Sequence, residues 1–237
     1  MTKQQEGHTV VGYAELKTII TRRLAPIGFA QTVIVRTQIA ENMTMLPVNV
    51  ASSSIWMGDN KMPQPIVEII HGDITELPVD VLVNAAKRSL LGGSGVDGAI
   101  HRAAGPELLS ACKELPEVGP NIRCETAQAV LTPGFDLPSK HVIHTVGPVW
   151  RGGHENEHEA LAKTYRACID LAEEHRFQSI AFPCISTGVY GFPFPSACSI
   201  ALGVIQGMEF GSLEKIYLVC YTLNDYKQFC QIFEEQK

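Results

Sequence analysis

From residue 66 onward the chain alternates short β-branched apolar runs with longer stretches of helical periodicity, a rhythm that few folds accept. Strands are predicted at 66–70, 80–84, 127–131, 141–146, 179–183 and 215–221, and helices at 98–115, 157–175, 196–208 and 225–235. Such alternation specifies an α/β fold, a largely parallel sheet covered by helices on both faces. Ligands of such sheets sit beyond the carboxyl ends of the strands, so the loops that follow strands are where chemistry is sought.

The first 63 residues follow no such rhythm. Tyr13, Leu16, Ile19, Ile20 and Leu24 recur at helical spacing before Pro26, 32–36 reads as a short strand, and 51–54 and 58–65 are linker-like. This head carries six Lys/Arg and four acids, net +2, whereas 64–237 carries net -8, within a chain of net charge -6. A division into an N-terminal extension, 1–63, and a folded body, 64–237, follows; Met62 stands where translation would yield the body alone. The basic amphipathic head is similar to a mitochondrial transit peptide, but Glu6 and Glu15 depart from that acid-poor signature. A net acidic chain is not expected to bind nucleic acid, and no apolar run of about 18 residues exists to span a membrane. The seven cysteines are odd in number and form no CxxC pair, which suits buried thiols in a reducing, cytoplasmic setting.

Three loops carry candidate chemistry. Gly92–Gly98 contains a formal GxGxxG at Gly93, Gly95 and Gly98. A nicotinamide-dinucleotide fingerprint would begin at the strand end and be followed by an acid on the next strand. Here eight residues separate Asn84 from Gly93, and Glu114 and Glu117 fall at a helix end. The loop can present amides to a phosphate, or simply be a turn with Asp97 as the helix cap. The second loop, Ser186-Thr187-Gly188-Val189-Tyr190-Gly191, also follows a strand, and Tyr190 and Phe192 would offer flat surface to a sugar or base. In the third, Gly72-Asp73-Ile74-Thr75, Asp73 would accept from an exocyclic amine with Ile74 packed beside it, or act as a turn residue. His154 and His158 have helical spacing but lie among acids, which suits a solvated helix start better than zinc. His101 falls in the helix after the glycine loop, and His141 and His144, on a strand, read as structural. No GxSxG elbow occurs, and Cys184 has no evident histidine partner.

Taken in order, these loops resemble those of a macrodomain, an ADP-ribose-binding α/β/α module, and most of all the branch of O-acetyl-ADP-ribose deacetylases and mono-ADP-ribosyl hydrolases. The resemblance rests on GDIT at 72–75, VDVLVNAA at 79–86, GVDGAIHRAAGP at 95–106, HTVGPVWRGG at 144–153, STGVYGFP at 186–193 and VCY at 219–221. It implies a three-layer fold with a mixed, mostly parallel six-stranded sheet. It also implies a metal-independent hydrolase without cofactor, acting on O-acetyl-ADP-ribose or on mono-ADP-ribosylated proteins. By position, Asp73 and Ile74 would hold adenine, with Tyr221 flanking it. Asn84, Gly93, Ser94, Gly95 and Val96 would form one side of the ligand site. Ser186, Thr187, Gly188, Val189 and Tyr190 would form the other, with Phe192 near the distal ribose. Asp97 would activate water.

Two positions depart from the family pattern. The branch has a second asparagine where this chain has Lys87, and a third loop glycine where it has Ser94. Lysine offers donors and a charge but no acceptor. Beside Asp97 it would favour the ionised carboxylate and weaken it as a base; turned toward the ligand it would tighten ground-state binding without raising turnover. The expectation is therefore a hydrolase of reduced activity, with Asp97 and Lys87 as its catalytic positions. The alternatives are a non-catalytic ADP-ribose reader and, more remotely, a nicotinamide-dinucleotide-binding protein.

Overall fold

The computed structural model describes residues 64–236 and the backbone of a strand at Val33–Thr37; the helix expected around residues 13–24 and the linker lie outside the described residues. The strands are β1 (Val33–Thr37), β2 (Ile66–His71), β3 (Val81–Ala85), β4 (Ala129–Pro133), β5 (His141–Thr145), β6 (Ser179–Pro183) and β7 (Lys215–Cys220). They form one sheet in the order β1-β2-β7-β6-β3-β5-β4. All neighbours are parallel except β4, which runs antiparallel to β5 at one edge. The body thus contributes the expected mixed, mostly parallel six strands. The seventh, β1, comes from the extension and pairs with β2 from Val33↔Val67 to Thr37↔His71.

The helices are α1 (Gly95–Ala104), α2 (Pro106–Glu114), α3 (Glu157–Glu174), α4 (Phe194–Gln206) and α5 (Leu223–Glu235). The single helix expected over 98–115 is two. Gly105 at φ +81° breaks it, and Pro106, which has no N–H to lose at a first helical position, starts α2. Near the start of β3, Asp80 accepts from the Gln178 and Ser179 amides at the head of β6, at 3.0 and 3.1 Å, locking the amino edge of the sheet.

Strand alternation sorts the core into two layers. Val81, Val83, Ile180, Phe182, Ile216 and Leu218 point to one face, where Leu161, Tyr165, Ile169, Leu202, Ile205 and Phe229 of α3–α5 cover them. Leu82, Ala181 and Val142 point to the other, against Ile100, Ala104, Leu108 and Cys112 of α1 and α2. Burial on both faces explains why these strands read as continuous apolar runs. Each fully buried Leu, Ile or Phe contributes about 1.5–3 kcal/mol relative to an exposed one. Among the described residues, no helix is long and apolar enough to cross a membrane.

Candidate active site at the carboxyl edge of the sheet

The core of the site is a buried polar chain linking β3, α1, β5 and β4. Asn84, near the end of β3 and fully buried, donates from Nδ2 to Asp97 Oδ1 at 2.8 Å, and the same nitrogen lies 3.1 Å from His144 Nδ1. His144 Nδ1 must then accept, which puts its proton on Nε2, 2.9 Å from Thr132 Oγ1. Burial, and secondarily the neighbouring His101, push His144 down to about 3, so the ring is neutral at pH 7. His101, one turn beyond Asp97 on α1, brings Nε2 to 3.5 Å from Asp97 Oδ1.

Asp97 is 3% exposed, and its Oδ2 has no partner; Asn84 Oδ1 has none either. One carboxylate oxygen is anchored and the other is left free. Asp97 is not the helix cap that one sequence reading offered. Ser94 takes that position, and Asp97 lies in the first turn of α1, where the helix field favours an anion.

The loop between β3 and α1 crosses over this carboxylate. Gly92, at φ +80°, packs below the His101 ring. At Gly93 an added Cβ would stand 2.8 Å from Asp97 Oδ2 and 3.5 Å from Lys87 Nζ, so both side chains meet at the one residue that leaves them room. Lys87 is exposed and forms no ion pair with Asp97. Ser94 and Gly95 are exposed, while Val96 packs against the core behind them.

On the facing side, the loop after β6 is held closed by its own backbone. Thr187 Oγ1 donates to Cys184 O at 2.9 Å, Gly191 N to Gly188 O at 2.9 Å and Phe192 N to Ser186 O at 3.0 Å. Ser186 is buried at φ +66°, with Oγ unpartnered, and only a glycine at 147 lets it sit there. Gly188 and Val189 are exposed at the tip. Burial raises the Tyr190 hydroxyl, Asp97's charge adds to that, and Arg88 opposes it, which places Tyr190 within electrostatic reach of both.

A third segment braces this loop. Trp150 N donates to Tyr190 O at 2.9 Å. Glu157, 3% exposed at the start of α3, accepts from the amides of Arg151, Gly153 and Glu155 at 3.0, 3.0 and 2.6 Å. Burial opposes ionisation of Glu157, but its own amide and those of Arg151, Glu155 and Gly153 outweigh it and bring the carboxyl to about 2. Beyond β2, Asp73 Oδ1 accepts from Thr75 N at 2.9 Å and Thr75 Oγ1 at 2.7 Å, so it caps a short 3-10 turn, and the neighbouring Tyr221 is 78% exposed.

The Macro domain family profile matches residues 83–201. This chain belongs to the macro domain family. A macro domain-containing protein of Xanthomonas axonopodis is 51% identical over 173 residues, covering 72% of this chain and 97% of the relative. A Salmonella gallinarum protein named O-acetyl-ADP-ribose deacetylase is 49% identical over 172 residues, covering 72% and 95%. The Oceanobacillus iheyensis macrodomain solved with ADP superposes with a TM-score of 0.69 at 43% identity, covering 73% of this chain and 92% of that one.

Within this macrodomain most of the sequence-predicted residues fall into two groups. Asp97, Lys87, Gly93, Ser94, Gly95, Ser186, Thr187, Gly188, Val189 and Tyr190 come from two loops on one sheet edge, as expected. Three others are buried, and each has a packing or positioning role. Asn84 is 0% exposed and works beneath the surface as Asp97's anchor. Ile74, 4% exposed, packs in the α1–α2 core. Phe192, 2% exposed, stacks against Trp150 and His158 at ring separations of 4.7 and 5.5 Å, so its face is not free for a sugar. His158 itself is exposed, as a solvated helix start implies, and lends one ring edge to that packing. Sequence reading missed His101, His144 and Glu157 as parts of the site. For His101 the i, i+4 spacing from Asp97 was the available signal; for His144 there was none, because β3–β5 pairing creates its contact.

Proposed function

We propose that this macrodomain binds ADP-ribose and hydrolyses esters at its distal ribose: O-acetyl-ADP-ribose, mono-ADP-ribose on acidic side chains, or both. The observation that carries the reading is the Asp97 carboxylate, buried, fixed through Oδ1 by Asn84 and unpartnered at Oδ2. The names of the relatives and the ADP bound to a structural neighbour support the choice of ligand.

The chemistry follows from the two loops. Amides at the head of α1 and in the loop after β6 would hold the diphosphate, the natural task of a helix N-terminus behind a glycine loop. This recognition uses backbone dipoles, so it operates in a body that carries net negative charge. With the diphosphate held, the distal ribose lies over Gly93, and a water beside it meets Asp97 Oδ2. That oxygen takes the water's proton as the water oxygen attacks the ester carbon. The carbon–oxygen bond to the leaving group breaks, and the proton returns to the departing oxygen. Asn84 and neutral His144 are positioning residues; they aim the carboxylate without touching substrate.

Lys87 supports a second reading, a reader that retains ADP-ribose without turning it over. An ammonium beside the glycine loop strengthens anion binding equally in ground and transition states, which does not raise turnover. Turnover of O-acetyl-ADP-ribose and of a glutamate-ADP-ribosylated protein, measured for wild type, D97A and K87N, separates the two. Wild-type turnover well above D97A supports the hydrolase. Wild type as inert as D97A, with ADP-ribose still bound, establishes the reader.

A further inference from the structure

Outside the polar chain, one group of reactive side chains lies at the same sheet edge without a part in the reaction above: the thiols at the ends of β6 and β7. Cys184 directly follows Pro183, and Cys220 directly follows Val219, its partner in the parallel ladder. Their Sγ atoms are 3.8 Å apart; Cys184 is half-buried and Cys220 buried, and both are free thiols. Adjacent strands run about 4.7–4.9 Å apart, inside the Cα separation of about 4.4–6.8 Å that a disulfide tolerates.

The backbones of these two residues hold the two ends of the site. Thr187 N and Oγ1 both donate to Cys184 O, at 3.4 and 2.9 Å, and so pin the loop after β6. On the far side, Gly72 N donates to Cys220 O at 3.1 Å, which pins the loop that carries Asp73. A bond between the sulfurs would draw together the anchors of both loops.

We propose that Cys184 and Cys220 form an oxidation site whose reversible disulfide weakens ligand binding by this macrodomain. The binding half rests on the ADP-ribose reading above; the modification half does not. The oxidant class is a hydroperoxide. Cys184 sulfur attacks the terminal oxygen of hydrogen peroxide, the O–O bond breaks, and a sulfenic acid and one water result. Cys220 sulfur then attacks the Cys184 sulfur, the S–O bond breaks, and the departing hydroxide takes the Cys220 proton as a second water. Two thiols together lose two electrons, and the peroxide gains two. The order follows from the pair's asymmetry. The hydrogen bond with Cys184, and then burial, hold the Cys220 thiol protonated, while Cys184 is the more exposed sulfur. Closure shortens the sulfur separation to about 2.05 Å.

The full chain, treated with stoichiometric hydrogen peroxide, is expected to lose about 2 Da, the two thiol hydrogens of one disulfide. A non-reducing peptide map should join Cys184 to Cys220. By calorimetry the oxidised form should bind ADP-ribose about tenfold more weakly, with full recovery in dithiothreitol. In C184S and in C220S the oxidised-to-reduced affinity ratio should be one. A map with no such link, or one that joins either residue to the neighbouring Cys198, overturns the site. A clean link with unchanged affinity overturns its effect on binding. If neither form binds ADP-ribose, the ligand reading fails, and the map still decides the modification.

Discussion

Asn84 Nδ2 donates to Asp97 Oδ1 at 2.8 Å, and this bond decides which carboxylate oxygen remains unpartnered. A carboxylate held by one oxygen keeps its direction while its other oxygen stays free to meet a water. Replacing Asp97 with Asn should remove the proton acceptor and lower turnover of O-acetyl-ADP-ribose by about 10²–10⁴-fold. ADP-ribose affinity should stay within a few-fold of wild type. A parallel loss of affinity would show that Asp97 binds rather than reacts.

Lys87 and Asp97 meet across Gly93 without pairing. K87N is expected to raise turnover, because no ammonium then stands beside Asp97 to weaken it as a base, and to make ADP-ribose binding less sensitive to salt, since a charge beside the diphosphate is removed. Kinetics and calorimetry at two ionic strengths test this. Unchanged turnover would mean that the lysine does not hold activity down.

Gly93 in the loop and Gly98 within α1 should respond differently to alanine. At Gly93 the new methyl meets a side-chain oxygen, Asp97 Oδ2, at 2.8 Å. Activity should collapse while the urea midpoint barely moves. At Gly98 it meets a backbone oxygen, that of Gly93, at 2.5 Å, and no side chain can yield. That variant should lose about 1–3 kcal/mol of stability, the usual cost of overpacking. Denaturation and turnover measured together distinguish the two.

His144 predicts a pH dependence of stability. An unfolded histidine titrates near 6.5, whereas in the fold burial brings His144 to about 3. Between those values the unfolded chain holds the extra proton. Stability is therefore full above about pH 6.5 and falls as pH drops toward 3, by up to about 1.4 kcal/mol per unit from this group. H144Q keeps an acceptor for Asn84 and a donor for Thr132, but cannot be charged. Its urea midpoint should change less between pH 7 and 5 than that of wild type. Parallel curves would refute the assignment.

Much of this architecture was legible because strands buried on both faces announce themselves. The run Ser179–Pro183 needed no correction, and β2, β3, β5 and β7 moved by a residue or less. Other features depend on geometry that spacing does not encode. Helical periodicity carries through Gly105, so the break between α1 and α2 became visible only with its positive φ. Phe192 looks like a binding face in sequence because exposure of an aromatic cannot be read locally; Trp150, forty-two positions earlier, is what covers it. The glycine loop identified the site, yet the histidine that positions Asn84 arrives through strand pairing across sixty residues. Local pattern finds the loops, and tertiary pairing supplies what aims them.

The sheet does not end with the family fold. All five residues of β1 pair with β2, so the row of amides and carbonyls along the outer side of Val67–His71 is covered by the extension. A chain begun at Met62 would present that row bare, and a bare strand edge templates pairing with any other. Light scattering of such a fragment beside the full chain would register the difference as self-association. The first segment of this protein would then count less as an appendage than as a solubility device, a built-in stopper for a surface that polymerises when uncapped.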